Sequence, residues 1–243
     1  MKKYILNYLP FYGVSIFVLS NIVAMYFYPG GSMFDNNTQG YDFFRNFLSQ
    51  LGRIKAYITD IEGNQISNIT SFKIWSAGMS LTGIIFCIYY FCLPSFFNYK
   101  KLSILGSFFA IIAGICFILT GITPGDITLN VIDQKGNLIN VFSVYQIHVF
   151  VANNIFYFAF PSAIIYSYLI IKSNKIDNMY GIGYYIFSIF IFCYIGILLF
   201  GPNPFKSEFA LILQVTSQKI IALSWVMSTL VLSLGIKINN SSN

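Results

Sequence analysis

A chain of 243 residues that is 56% hydrophobic and only 9% charged, with a mean hydropathy of +0.69, is too apolar to be a soluble domain of this size. Fourteen basic residues against eight acidic ones leave a net charge of +6. A single histidine excludes a His-rich zinc centre, and the four cysteines form no C-x-x-C pair, so no metal and no cofactor is implied.

Crossing a bilayer takes about 20 largely apolar residues. Six segments meet that requirement: 5–27, 74–97, 102–121, 149–171, 182–200 and 220–236. The first follows Met1-Lys2-Lys3, as a signal peptide would, but it is too long for such a segment and no small-x-small cleavage site follows, so it is expected to stay as an anchor. It ends in "YFYPGG", the third span in "GITPGD" and the fifth in "LFGPNP", all Pro/Gly stops. The expected fold is an all-α membrane protein: a six-transmembrane-helix bundle forming one integral membrane domain over 1–243, with a small extracytoplasmic cap drawn from 28–73 and 122–147.

Within the cap, "GYDFFRNFLSQLGR" (40–53) places Phe44, Phe47, Leu48, Leu51 and Ile54 at helical spacing and Arg45, Asn46, Ser49, Gln50 and Arg53 opposite them, which predicts an amphipathic helix over 41–54 with a wet face. "YITDIEGNQIS" (57–67) and "NVIDQKGNLIN" (130–140) share D-x-x-G-N between β-formers. Both predict β-hairpins with a type I turn, Asp60 or Asp133 first and Gly63 or Gly136 last. A lone hairpin is marginal in water, so the two are expected to pair with each other or lie on the cap helix. In the third span, Gly106, Ala110 and Gly114 recur at the spacing that lets helix backbones approach in lipid. Cys87, Cys92, Cys116 and Cys193 fall in spans and read as packing residues.

Orientation follows from the short basic loops. With the N-terminus inside, Lys2, Lys3, Lys100, Lys101, Lys172, Lys175 and Lys237 are cytoplasmic and crowded against helix ends, while the outer basic residues are diluted in long loops that also hold most of the acids. Both termini are therefore expected in the cytoplasm, with the protein in the cell (plasma) membrane. The charge then faces anionic lipid, so the partners are membrane lipids and not nucleic acid, and oligomeric state is left open.

Polar residues near the spans gather at the outer end. Asp126 and His148 have the residue types of a carboxylate-oriented general base and are the candidate catalytic pair, the bland alternative being a histidine that bonds a neighbour. Arg45 and Arg53 suit a bidentate grip on phosphate or carboxylate. Gln214, Ser217, Gln218, Ser224 and Ser228 form one stripe on the last helix, with Lys219 beside it. Asn153 and Asn154 lie about 140° and 240° around the helix from His148, and interhelical hydrogen bonds are their alternative role. The candidate ligand-binding set is Arg45, Ser49, Arg53, Asn153, Asn154, Gln214, Gln218 and Lys219, and the inner half shows nothing comparable.

Ser49, Leu51 and Gly52; Pro124 and Asp126; His148; and Gln218 with Trp225 together resemble a family of uncharacterised six-span membrane proteins similar to the FRAG/DRAM/SFK group. Gln50 stands where that pattern leads one to expect an acid. The resemblance implies the six-span fold and no established activity, and it leaves open whether the chain is an enzyme. Three functions are consistent with the residues: binding a lipid or small amphiphile at an outward-facing polar site, an outward-facing hydrolase or transferase using Asp126 and His148, and small-solute transport. The last would need broken helices and midplane polar sites, and only Pro161 interrupts a span centrally.

Overall fold

The computed structural model describes residues 2–132, 138–173 and 175–242. Six helices carry the chain: α1 (Lys2–Tyr26), α2 (Ile69–Cys92), α3 (Lys100–Ile122), α4 (Val144–Lys172), α5 (Met179–Phe200) and α6 (Glu208–Ser242). Each holds a stretch long and apolar enough to cross a membrane, so the protein is a multi-pass membrane protein. Only a helix satisfies all its backbone groups internally in hydrocarbon, which is why the apolar segments take this form. Helices α2, α4 and α6 begin before the hydropathy boundaries at 74, 149 and 220, because they rise past the apolar layer into polar surroundings that a hydropathy window does not register.

Every helix packs on its neighbours in sequence, and α1 packs on α6, closing the six into a ring. Small residues set the closest approach. A Cβ added to Gly83 would lie 2.8 Å from the carbonyl oxygen of Gly114, so α2 and α3 touch backbone to backbone there. Gly106, on the same stripe of α3, faces Ile165 and Tyr166 of α4 instead. Across the ring, Trp225 meets Phe86 at 4.8 Å and Phe17 at 5.3 Å between ring centroids, and Phe17 meets Phe117 at 5.7 Å. The two Trp225 contacts are edge-on, and aromatic pairs of this kind add about 0.5–1.5 kcal/mol each beyond burial.

At one end of the bundle, here the tail end, Lys175 Nζ donates to the Phe96 carbonyl at 2.6 Å and Asn240 Nδ2 to Asn7 Oδ1 at 2.7 Å. The opposite end carries the cap. There β1 (Lys55–Thr59) pairs antiparallel with β2 (Gln65–Ser67), and β3 (Thr128–Ile132) with β4 (Leu138–Ser143), as two separate two-stranded sheets. The expected hairpins form, but they do not pair with each other. In the first, Gly63 has φ +83° and donates its N–H to the Asp60 carbonyl at 3.0 Å, while Asp60 Oδ1 accepts the N–H groups of Glu62 and Asn64 at 2.9 and 2.8 Å. That is the D-x-x-G turn, with Asp60 capping its own loop. Asp133 and Gly136 of the second turn lie outside the described residues.

The segment 41–54 is not an α-helix. A turn at 43–45 leads into a five-residue 3-10 helix, Leu48–Gly52. The cause is local competition for backbone N–H groups. The Asp42 carboxylate takes those of Phe44 and Arg45 at 2.8 and 3.0 Å, and Asn46 Oδ1 takes that of Asp42 at 2.8 Å. Nor is the polar face uniformly wet: Asn46 and Gln50 are among the most buried residues of the cap and Arg45, Ser49 and Arg53 are half-buried, whereas Phe44 is exposed.

Candidate functional site

Asn46 is the hub of the cap. Its side-chain nitrogen donates to the Gly31 carbonyl at 2.8 Å and to Gln50 Oε1 at 2.6 Å, and its own carbonyl accepts Lys219 Nζ and the Tyr41 hydroxyl, both at 2.7 Å. The Lys219 ammonium also lies 4.8 Å from the ring centroid of Phe43 and 5.4 Å from that of Tyr41. Two aromatic faces and a carbonyl thus hold a buried cation on α6 without a carboxylate in contact. Gly31, at φ +78°, sits so close to β1 that a Cβ would meet the Ile58 nitrogen at 2.2 Å. The Pro-Gly-Gly stop after α1 is therefore also the floor on which β1 lies.

The two arginines go to different partners. Arg45 bonds Asp42 at 3.0 Å and Glu208, at the start of α6, at 2.6 Å. Burial works against the Asp42 charge, but the N–H groups of Phe44 and Arg45 and the Arg45 guanidinium outweigh it and hold that carboxyl below its usual range. Arg53 stacks over the Tyr57 ring at 4.1 Å and donates to the Tyr57 hydroxyl and the Lys55 carbonyl, each at 3.1 Å. Burial pushes the Tyr57 phenol up, against the pull of that guanidinium. Of the four residues expected in one pocket, Arg53, Asp126 and His148 gather at the exit of α3, where Gly125 sits between the Arg53 and His148 side chains, while Arg45 stands at α6.

At that exit, the Asp126 carboxylate accepts the N–H groups of Ile54 and Lys55 at 3.0 and 2.8 Å, and the Gly125 N–H reaches the Gly52 carbonyl at 3.3 Å. Asp126 staples the cap strand onto the end of α3. His148, buried on α4, places Nδ1 at 2.7 Å from the Thr123 carbonyl. A carbonyl only accepts, so Nδ1 carries the proton and Nε2 the lone pair. Among the described residues, Asp126 and His148 make no hydrogen bond to each other; each is bound to backbone instead, so it is the Thr123 carbonyl and not a carboxylate that orients the imidazole.

The ring of helices lines a partly open cavity of about 140 Å³ directly below the 3-10 helix. Leu48 and Ser49 form its roof, and all six helices contribute to its wall, from Trp75, Gln218 and Trp225 to Tyr90 and Tyr184 deeper down. On α2 the lining runs from Trp75 to Tyr90, about 22 Å of helix at 1.5 Å per residue, so the space is long and narrow. The Gln218 side-chain oxygen accepts the Leu48 N–H at 2.8 Å and binds roof to wall. At the deep end the Tyr90 and Tyr184 hydroxyls are 2.9 Å apart, and the Tyr166 hydroxyl donates to the Ser103 carbonyl at 3.1 Å. Of these groups, the Tyr90 and Tyr184 hydroxyls line the cavity's deep end.

Of the candidate ligand-binding residues, Ser49 and Gln218 reach the cavity and Arg45, Arg53 and Lys219 build the cap around it. Gln214 Nε2 donates to the Pro202 carbonyl at 2.9 Å, tying the loop between α5 and α6, and Asn154 Nδ2 bonds its own helix at the Phe150 carbonyl, 2.8 Å. Neither asparagine of the 153–154 pair lines the cavity. Trp75, Tyr90, Tyr184 and Phe17 were missed because aromatic residues in an apolar span carry no periodic signal of their own. No protein-family model matches the chain, and neither a curated protein nor a solved structure matches it.

Proposed function

We propose that this membrane protein binds a small amphiphile in the cavity beneath its cap, and that the cap lies on the extracytoplasmic side of the plasma membrane. The observation that carries the reading is the cavity itself: apolar walls from six helices, with polar side chains at the roof and floor. Size selects the ligand class. A dry apolar cavity of about 150 Å³ takes a single benzene ring, so about 140 Å³ suits a small molecule or the tip of one chain and not a two-chain lipid. The exposed aromatics Phe34, Phe43, Phe44, Phe205 and Phe209 around the cap support its place at headgroup level. The likeness to the FRAG/DRAM/SFK group belongs to the same proposal. Of the residues that carry it, Ser49, Gln218 and Trp225 line the cavity.

Both tryptophans of the chain, Trp75 and Trp225, line the cavity. A brominated small amphiphile should therefore quench intrinsic fluorescence saturably in nanodisc-embedded protein, and a strictly linear response would overturn the reading. For orientation, Glu62→Cys in a cysteine-free background should react with an impermeant thiol reagent on intact cells and Asn98→Cys should not. The reverse pattern would put the cap in the cytoplasm.

A further inference from the structure

Resting on that binding reading, we infer that the ligand is electrically neutral and carries an oxygen acceptor, a hydroxyl or a carbonyl, at its cap-side end. Among the described residues no Asp, Glu, Lys, Arg or His lines the cavity. The cations nearest its roof are engaged elsewhere: Arg45 on Asp42 and Glu208, Arg53 on Tyr57, and Lys219 on the Asn46 carbonyl between two rings. A carboxylate or phosphate drawn into this space would lose its water and meet no counter-charge, a penalty that hydrogen bonds from neutral groups do not offset.

What the cap-side end does offer is donors. Gln218 uses its side-chain oxygen on Leu48 and leaves its amide N–H groups without a hydrogen-bond partner among the described residues. The Ser49 hydroxyl, next along the roof, makes no hydrogen bond there either. Trp75, on the wall and 1% exposed, has an indole N–H with no hydrogen-bond partner among the described residues. A tryptophan N–H only donates, an amide nitrogen only donates, and a serine hydroxyl does both. Buried donors are ordinarily satisfied, so the unpartnered Trp75 N–H, on a cavity also lined by the half-buried Gln218 amide and Ser49 hydroxyl, marks where an acceptor belongs. Below them, Phe17, Phe86, Phe117 and Trp225 supply the apolar length against which the rest of the molecule packs.

Three probes of one skeleton separate the parts of this inference: 4-bromobenzyl alcohol (neutral, oxygen-bearing), 4-bromobenzoate (anionic at pH 7.5) and 4-bromotoluene (neutral, no oxygen). Each is titrated into nanodisc-embedded protein while the bromine quenches Trp75 and Trp225. The alcohol should quench saturably, the toluene about tenfold more weakly and the benzoate at least a hundredfold more weakly. Gln218→Met should bring the alcohol down to the level of the toluene measured in the same variant. Ala159→Phe or Ala222→Phe, which fill the cavity, should abolish the saturable component for all three in whichever variant keeps the parent thermal melt. Benzoate binding within tenfold of the alcohol overturns the neutrality argument. Toluene binding as tightly as the alcohol overturns the oxygen head. If no probe saturates, the cavity is not a binding site and the function proposed above fails with it.

Discussion

The backbone N–H of Leu48 donates to the side-chain oxygen of Gln218 at 2.8 Å, across 170 residues of sequence, and this bond joins the roof of the cavity to its wall. A net hydrogen bond of this kind is worth about 0.5–1.5 kcal/mol. Gln218→Leu should therefore raise amide exchange of the 43–53 segment roughly three- to tenfold with little change in exchange within α6. Hydrogen–deuterium exchange by mass spectrometry reads this directly, and unchanged protection of 43–53 would show that the roof is held by other contacts.

Asp126 serves the cap by accepting two backbone N–H groups, so its chemistry as an acceptor is what matters. Asp126→Ala leaves the Ile54 and Lys55 amides without their partner and should cost about 1.5–3 kcal/mol of cap stability. Asp126→Asn keeps one acceptor oxygen and should cost less. Limited proteolysis at the 54–67 hairpin should rank the variants in that order, with Ala the most sensitive. If the two variants were equal to the parent in proteolysis yet inactive toward a ligand, the residue would be acting on the ligand and not on the fold.

Gly63 meets nothing within 4 Å on the side where a Cβ would stand, yet its φ is +83°. Space is not the constraint there; backbone conformation is. Gly63→Val should cost about 1–2 kcal/mol through left-handed strain and Gly63→Asn much less. The effect should be confined to β1 and β2. A parent-like protease sensitivity for the valine variant would remove the turn assignment.

The corner formed by Asp42, Arg45 and Glu208 should be sensitive to acid. The Asp42 carboxyl is held below its ordinary value near 3.8, so the folded state binds its proton less readily than the unfolded chain does. The resulting stability is fully present above the unfolded pKa and is lost as pH falls through the folded one. Asp35, lowered chiefly by the Thr38 hydroxyl, adds in the same direction. Cap exchange, normalised to the intrinsic chemical rate at each pH, should hence be flat from neutral pH down to about 5 and rise below about 4. Asp42→Asn should flatten that rise; an unchanged acid profile would assign it to other carboxyls.

Six crossings, their Pro/Gly ends and the Asp60–Gly63 turn were legible in sequence because each depends on a few adjacent residues: apolar length, ring-locked φ, and one carboxylate capping its own loop. The cap was only half legible. The 3.6-residue period in 41–54 records which positions are polar, but periodicity does not say whether polar positions meet water. Asn46 is buried because its partners come from Gly31 and Lys219, at sequence separations of 15 and 173, and Gln50 is buried beside it as the acceptor of the Asn46 amide. Likewise Asp126 and His148 stand at one depth, but only the packing of α3 on α4 and on β1 decided that each would bond backbone. The cavity was invisible for a related reason. Phe17, Trp75, Tyr90, Tyr184 and Trp225 count alike as apolar in a span, and whether such side chains fill the middle of a ring or leave a space there depends on the angles at which six helices meet, which no single helix encodes.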